Sequence, residues 1–239
     1  MATVRPTMEK IFTKIYEHKL WGVEGDGSGT GSSKLATRGA SAILYHLSLT
    51  LGLYGIIDAP CGAMVWQPSL LRQISFQRPH FRYLGIDVVR SLIHNNTKRF
   101  EQRANNSSTI SFMHANLASQ TNWSLPEGYD LILCRDAMQH LPYVDIWTVL
   151  QRFANSQSKY ILLGSYPYGS QHCQYKNNSS NRNLATPGAY FCIDLQSPPF
   201  SLIPAKRFSE GTFDKKWLLL FERDQLKAQL HERHVGFLA

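Results

Sequence analysis

No stretch of this 239-residue chain approaches the roughly 20 apolar residues that span a bilayer, and Met1 to Lys10 lack the apolar core of a secretory signal. Cysteine is scarce. Cys61, Cys134, Cys173 and Cys192 form no CxxC pair and no histidine stands at zinc-site spacing, so neither a metal nor a disulfide framework is signalled. Reduced thiols in a soluble, cytoplasmic protein are the expectation. Loss of an upstream anchor would instead imply the secretory pathway, where the Asn-x-Ser/Thr tripeptides at Asn95, Asn105, Asn106, Asn122, Asn177 and Asn178 would matter. Two phosphate-gripping signatures are also missing, the dinucleotide GxGxxG and the P-loop GxxxxGK(S/T). Charge is sparse at 18% of residues, and the net +8 is scattered without a dense Lys/Arg tract or an RNP-type aromatic motif. Nucleic acid therefore remains open as a partner but is not favoured.

What is present is a rhythm. Hydrophobic residues make up 43% of the chain, enough for one large core. A helix is expected around Met8 to Leu20, then a Gly/Ser-rich loop, WGVEGDGSGTGSSK, and a second helix from about Leu35 to Leu51. From there short apolar runs (LYGIID, FRYLGID, TISFMHA, YDLILCRD, KYILLGS) alternate with amphipathic segments, and Pro68 suits the first turn of one helix. That alternation predicts an α/β domain with a doubly wound, mostly parallel sheet covered by helices on both faces. After Ser165 comes a long polar stretch read as a loop, then KRFSEG and KWLLLFERDQL as two final strands, with AQLHERHVGFLA as a frayed tail.

Acids stand at two successive strand ends. Asp58 opens DAPCG, where Gly62 lets backbone approach a ligand, and Asp87 closes the next strand, where a carboxylate can take both hydroxyls of a ribose. Helix capping is the ordinary use of a lone Asp after a strand, but the pair around a glycine turn points to a nucleoside without pyrophosphate.

On these residues the chain resembles the class I S-adenosylmethionine-dependent methyltransferases, from about Leu35 to Glu222. DAPCG corresponds to the glycine-rich first motif, GID to the ribose-binding acid, HANL to the adenine-side loop and LILCRDAMQHLP to the stretch after the fourth strand. More narrowly it is similar to a group of largely uncharacterised members with LCRD, QHL and a downstream PPF. It departs from the family pattern in having Pro60 where glycine is usual and Asn116 where an acid is frequent. The resemblance implies a Rossmann-like, seven-stranded sheet with an antiparallel last strand. It implies S-adenosylmethionine as cofactor, with Asp58, Pro60, Gly62, Asp87, Asn116, Leu117 and Arg135 as cofactor-side residues. Trp21 is added because an indole can stack on adenine or sugar. The organisation expected is an N-terminal helix and Gly/Ser lid or linker over 1–34, a methyltransferase domain over 35–225 and a tail over 226–239.

Methyl transfer is an in-line displacement at an activated carbon, so the protein supplies alignment and, for a hydroxyl acceptor, a base. His140, which titrates near neutrality in water, is the first candidate and Asp136 the second. Arg135 can alternatively pair with a carboxylate of substrate or protein. The expected reaction is O-methylation of a small molecule or carbohydrate. Ser197 to Phe200, SPPF, matches the (D/N/S)PP(Y/F) signature of amino-methylating enzymes, but it stands far beyond the fourth strand where that signature belongs. RNA or other nitrogen-directed methylation is therefore the alternative, ahead of an NAD-dependent oxidoreductase or a non-catalytic nucleotide-binding module.

Overall fold

The structure, a computed structural model, describes residues 6–101, 109–167, 181–211 and 216–237. In chain order the elements are α1 (Met8–Glu17), α2 (Arg38–Thr50), β1 (Gly55–Asp58), α3 (Gln67–Gln77), β2 (Arg82–Asp87), α4 (Arg90–Glu101), β3 (Thr109–His114), β4 (Leu131–Cys134), α5 (Tyr143–Ala154), β5 (Tyr160–Ser165), β6 (Lys206–Ser209), β7 (Trp217–Glu222) and α6 (Arg223–Phe237). The seven strands lie in the order β3-β2-β1-β4-β5-β7-β6. Strands β1 to β5 run parallel, and β7 is antiparallel to both β5 and β6. This is the Rossmann-like sheet expected from the sequence.

Alternation along the strands divides the core between two faces. Ile57, Ile132, Ile161, Leu163, Leu219 and Phe221 pack with α5 and α6, whereas Ile56, Leu131, Leu133, Leu162, Leu218 and Leu220 pack with α2, α3 and α4. Strands buried on both sides must be apolar throughout, which is why β1, β4 and β5 read as unbroken apolar runs. Pro68 sits in the first turn of α3, where its missing N–H costs nothing. Strand order reverses between β1 and β4, so the rim carrying Asp58, Asp87 and the residues after Cys134 is the crevice where open α/β sheets take ligands.

Two expectations are corrected, on the tail and on the cysteines. Residues 226–239 do not begin a frayed tail: α6 continues to Phe237 and buries Leu226 and Leu230 against the α5 face. The Gly/Ser segment carries two short turns, Glu24–Gly27, with left-handed backbone at Gly25 and Asp26, and Thr30–Ser32. The four cysteines are not all reduced thiols. Cys61 and Cys134 are free and buried, whereas Cys192 is disulfide-bonded, its partner lying outside the described residues.

Candidate active site

The end of β1 and the end of β2 are tied to each other before any ligand is considered. Asp87 accepts the Gly62 N–H on Oδ2 (3.0 Å) and the Val89 N–H on Oδ1 (2.9 Å), so it both caps the start of the next helix and holds the loop after β1. The capping use of this Asp is therefore present, and the side chain also lines the cavity described below. Asp58 accepts Tyr83 O–H (2.6 Å) and Gln67 N–H (2.9 Å) on Oδ2, while Oδ1 has no partner among the described residues. Burial pushes both carboxyls up to about 6, against the hydrogen bonds that favour their ionised forms. Gly62 has φ +56, and a Cβ there would lie 3.2 Å from both the Ser28 and the Tyr16 hydroxyl oxygens. The loop is thus glycine for two reasons, its left-handed backbone and the arm of residues 16–28 that presses on it.

After β3, Asn116 accepts the Ala118 N–H on Oδ1 (3.0 Å). A backbone N–H can only donate, so this bond identifies the amide oxygen and leaves the Asn116 NH₂ facing outward as a donor. Arg152 of α5 holds the loop in place by donating to the carbonyls of Leu117, Ser119 and Trp123.

After β4 the chain turns through Asp136, whose φ of +53 is left-handed without being glycine. What holds it there is a buried set of charges. Arg135 donates through Nε to both carboxylate oxygens of Glu210 (3.0 Å each), through Nη2 to Glu210 Oε2 (2.7 Å), and through Nη1 to the Gly31 carbonyl and Asp136 Oδ2 (3.0 Å each). Asp136 also accepts from Lys216 Nζ (2.8 Å) and Tyr166 O–H (2.7 Å). Burial opposes charge on Asp136, yet Arg135 and Lys216 outweigh it and hold the carboxyl well below its usual range. Gly31 presses on this cluster so closely that a Cβ would fall 2.6 Å from Asp136 Oδ2.

His140 ends the 3₁₀ turn Met138–His140. Its Nδ1 lies 2.9 Å from the Ala189 carbonyl, which only accepts, so Nδ1 carries the hydrogen and Nε2 keeps its lone pair. No protein group among the described residues bonds Nε2. Burial lowers the imidazole to about 4, against the Ala189 bond and Asp136, so it is neutral at physiological pH. Trp21 stacks on it, with ring centroids 4.3 Å apart and planes at 26°, and Tyr190 leans against it at 5.5 Å.

All ten residues singled out in the sequence (Trp21, Asp58, Pro60, Gly62, Asp87, Asn116, Leu117, Arg135, Asp136 and His140) line one cavity. Trp21 packs on His140, and Arg135 is committed to protein partners. Sequence reasoning missed Tyr16, Ser28, Tyr166, Glu210 and Lys216. Ser28 was masked by a linker-like composition, Tyr16 reads as an ordinary residue of α1, and the others lie tens of residues from the turn they brace. SPPF lines no part of this cavity: Phe200 is wholly buried against Tyr143 and Trp147.

No protein-family model and no curated protein sequence matches the chain. Solved structures do. Magnesium protoporphyrin IX methyltransferase from Synechocystis PCC 6803 with bound SAM superposes at a TM-score of 0.57 with 14% identity, over 92% of this chain and 98% of that one. Human N-acetylserotonin methyltransferase in complex with SAM gives 0.59 and 15%, over 91% of this chain and 60% of that one. The methyltransferase domain of bacterial CtHen1 gives 0.56 and 14%, over 77% and 96%. The fold is that of the S-adenosylmethionine-dependent methyltransferases. Within that methyltransferase fold the cavity occupies the crevice where the strand order reverses. No helix among the described residues is long and apolar enough to cross a membrane, and no group of three or more His, Cys, Asp or Glu side chains there is placed to hold a metal.

Proposed function

We propose that the protein is an S-adenosylmethionine-dependent methyltransferase that methylates a hydroxyl of a small molecule or carbohydrate. One observation carries this reading: a neutral His140 with an uncommitted Nε2 shares a cavity with two carboxylates at adjacent strand ends. The unsatisfied groups fit the cofactor. Asp87 keeps lone pairs for two ribose hydroxyls, the Asn116 NH₂ can donate to an adenine ring nitrogen, and Asp58 Oδ1 is open to an ammonium. Bound S-adenosylmethionine would supply a methyl group activated by its sulfonium. His140 Nε2 takes the acceptor's proton, with Nδ1 fixed by Ala189 so that the ring cannot present the wrong nitrogen. Asp136 is a poor base because two cations stabilise its ionised form, and it serves to shape the turn that presents His140.

The test is turnover with labelled methyl donor across sugars, phenols, amines and RNA. His140→Ala should lower turnover about 10²- to 10⁴-fold while cofactor affinity stays within a few-fold. Equal turnover in the variant would remove His140 from the chemistry.

A further inference from the structure

Resting on that reading, we propose that the acceptor is an uncharged, flat hydroxyl compound, a phenol or its enol equivalent, held against Trp21 and His140. The end of the cavity beyond the cofactor residues is electrically closed. Arg135 and Lys216 are matched by Asp136 and Glu210, all four side chains largely buried and bonded to one another. Among the described residues Arg135 is the one cation that lines the cavity, and its Nε, Nη1 and Nη2 are all engaged. A phosphate or carboxylate on the acceptor would be desolvated without a free cation, and an ammonium would find the Asp136 carboxylate already holding three donors.

Shape and polarity narrow the class further. Trp21 and His140 form a stacked pair, Phe12 meets Trp21 edge-on at 5.8 Å, and Phe12, Trp21, Ala137 and Leu141 join His140 in lining the cavity. Leu20 and Val23, on either side of Trp21 in the chain, stand 60% and 73% exposed and give this arm an apolar outer surface. A sugar carries a ring of hydroxyls that each need a partner once buried. Here the Ser28 hydroxyl is paired with Tyr16, and Ser32 and His140 Nε2 are what is left. Two groups fall short of the several hydroxyls of a sugar.

Acidity points the same way. An imidazole at about 4 is a weak base, and a phenol near pKa 10 lies about six pH units uphill of it. A hydroxyl as weakly acidic as water, pKa about 15.7, lies roughly twice as far. In the step itself the O–H bond breaks, its proton passes to Nε2, and the oxygen pair forms the O–CH₃ bond. The donor's S–CH₃ bond breaks as this happens, its electron pair staying on sulfur as a neutral thioether, and the positive charge ends on the imidazolium.

The experiment compares one ring system in three forms on the full chain, 2-naphthol, a carboxylated naphthol and an aminomethyl naphthol, with methyl glucoside and a short oligoribonucleotide as controls. Binding to protein saturated with S-adenosylhomocysteine and methyl incorporation are both read. The neutral naphthol should be the preferred acceptor by at least about tenfold. Trp21→Ala should raise its KM about tenfold with S-adenosylhomocysteine affinity unchanged within a few-fold, and Trp21→Phe, which keeps a ring, should recover most of the loss. Preference for a charged ring, the glycoside or RNA would overturn the proposal, as would failure of the naphthol to bind cofactor-loaded protein. Failure of S-adenosylhomocysteine itself to bind would strike the methyltransferase reading instead, and so the two failures separate.

Discussion

Asp58 and Asp87 at one end of the cavity, and Asp136 at the other, are carboxylates on the same rim of one sheet, yet their surroundings drive them in opposite directions. The first two are held by neutral donors, and burial wins, lifting them to about 6. Asp136 sits against Arg135 and Lys216, and the cations win. The comparison separates two jobs. In the proposed function, a carboxylate left short of positive charge meets a ligand that brings it, as a sulfonium and an ammonium would. A carboxylate already neutralised is structure. The signs follow by linkage: Asp58 and Asp87 bind protons more readily folded than unfolded, so in the ligand-free protein they cost stability as pH rises from about 4 to about 6. Asp136 contributes stability above the usual carboxyl range, and that contribution is lost as pH falls towards its depressed value.

The largest expected effect breaks the neutralised end. Glu210→Ala leaves Arg135 buried with half its counter-charge, and should lower unfolding free energy by about 3–5 kcal/mol in denaturant titration, as removal of one member of a buried pair does. A loss under about 1 kcal/mol would mean that the cluster is solvated and the acceptor end is not electrically closed. At the other end, Asp87→Ala should weaken S-adenosylmethionine binding by about 1.5–3 kcal/mol in calorimetry, the scale of hydrogen bonds to a charged group. Unchanged affinity in a folded variant would remove Asp87 from the cofactor. Smaller still, Gly62→Ala forces a side chain into a left-handed backbone and should cost about 1–2 kcal/mol of stability, read from the melting transition.

The strands were legible because burial on both faces leaves them no polar position, Asp58 and Asp87 were legible because they close such strands, and His140 was legible as the histidine of the segment after β4. Helix α6 was not, since among its described side chains only Leu226 and Leu230 reach the core and the rest of the segment is polar. The arm over the cavity was hidden for a related reason: residues 24–32 carry little apolar content, so composition reads as linker although Ser28 and Gly31 meet specific partners. Glu210 and Lys216 had no local signal at all. They stand 75 and 80 residues from the groups they bind, and only the return of β6 and β7 to the sheet edge beside β5 brings them there. Distance in sequence likewise concealed how thoroughly Arg135, a cofactor candidate by position, is spent within the protein.

The contrast between the two ends is tested most directly by calorimetric binding of S-adenosylmethionine as a function of pH. With Asp58 and Asp87 poised at about 6 and required in their ionised forms, affinity should be level above pH 7 and fall by about tenfold per pH unit below 6 for each carboxyl that must release its proton. Asp87→Asn should flatten that profile. Binding that is absent at every pH, or that is tight and indifferent to pH between 5 and 7, would contradict the account.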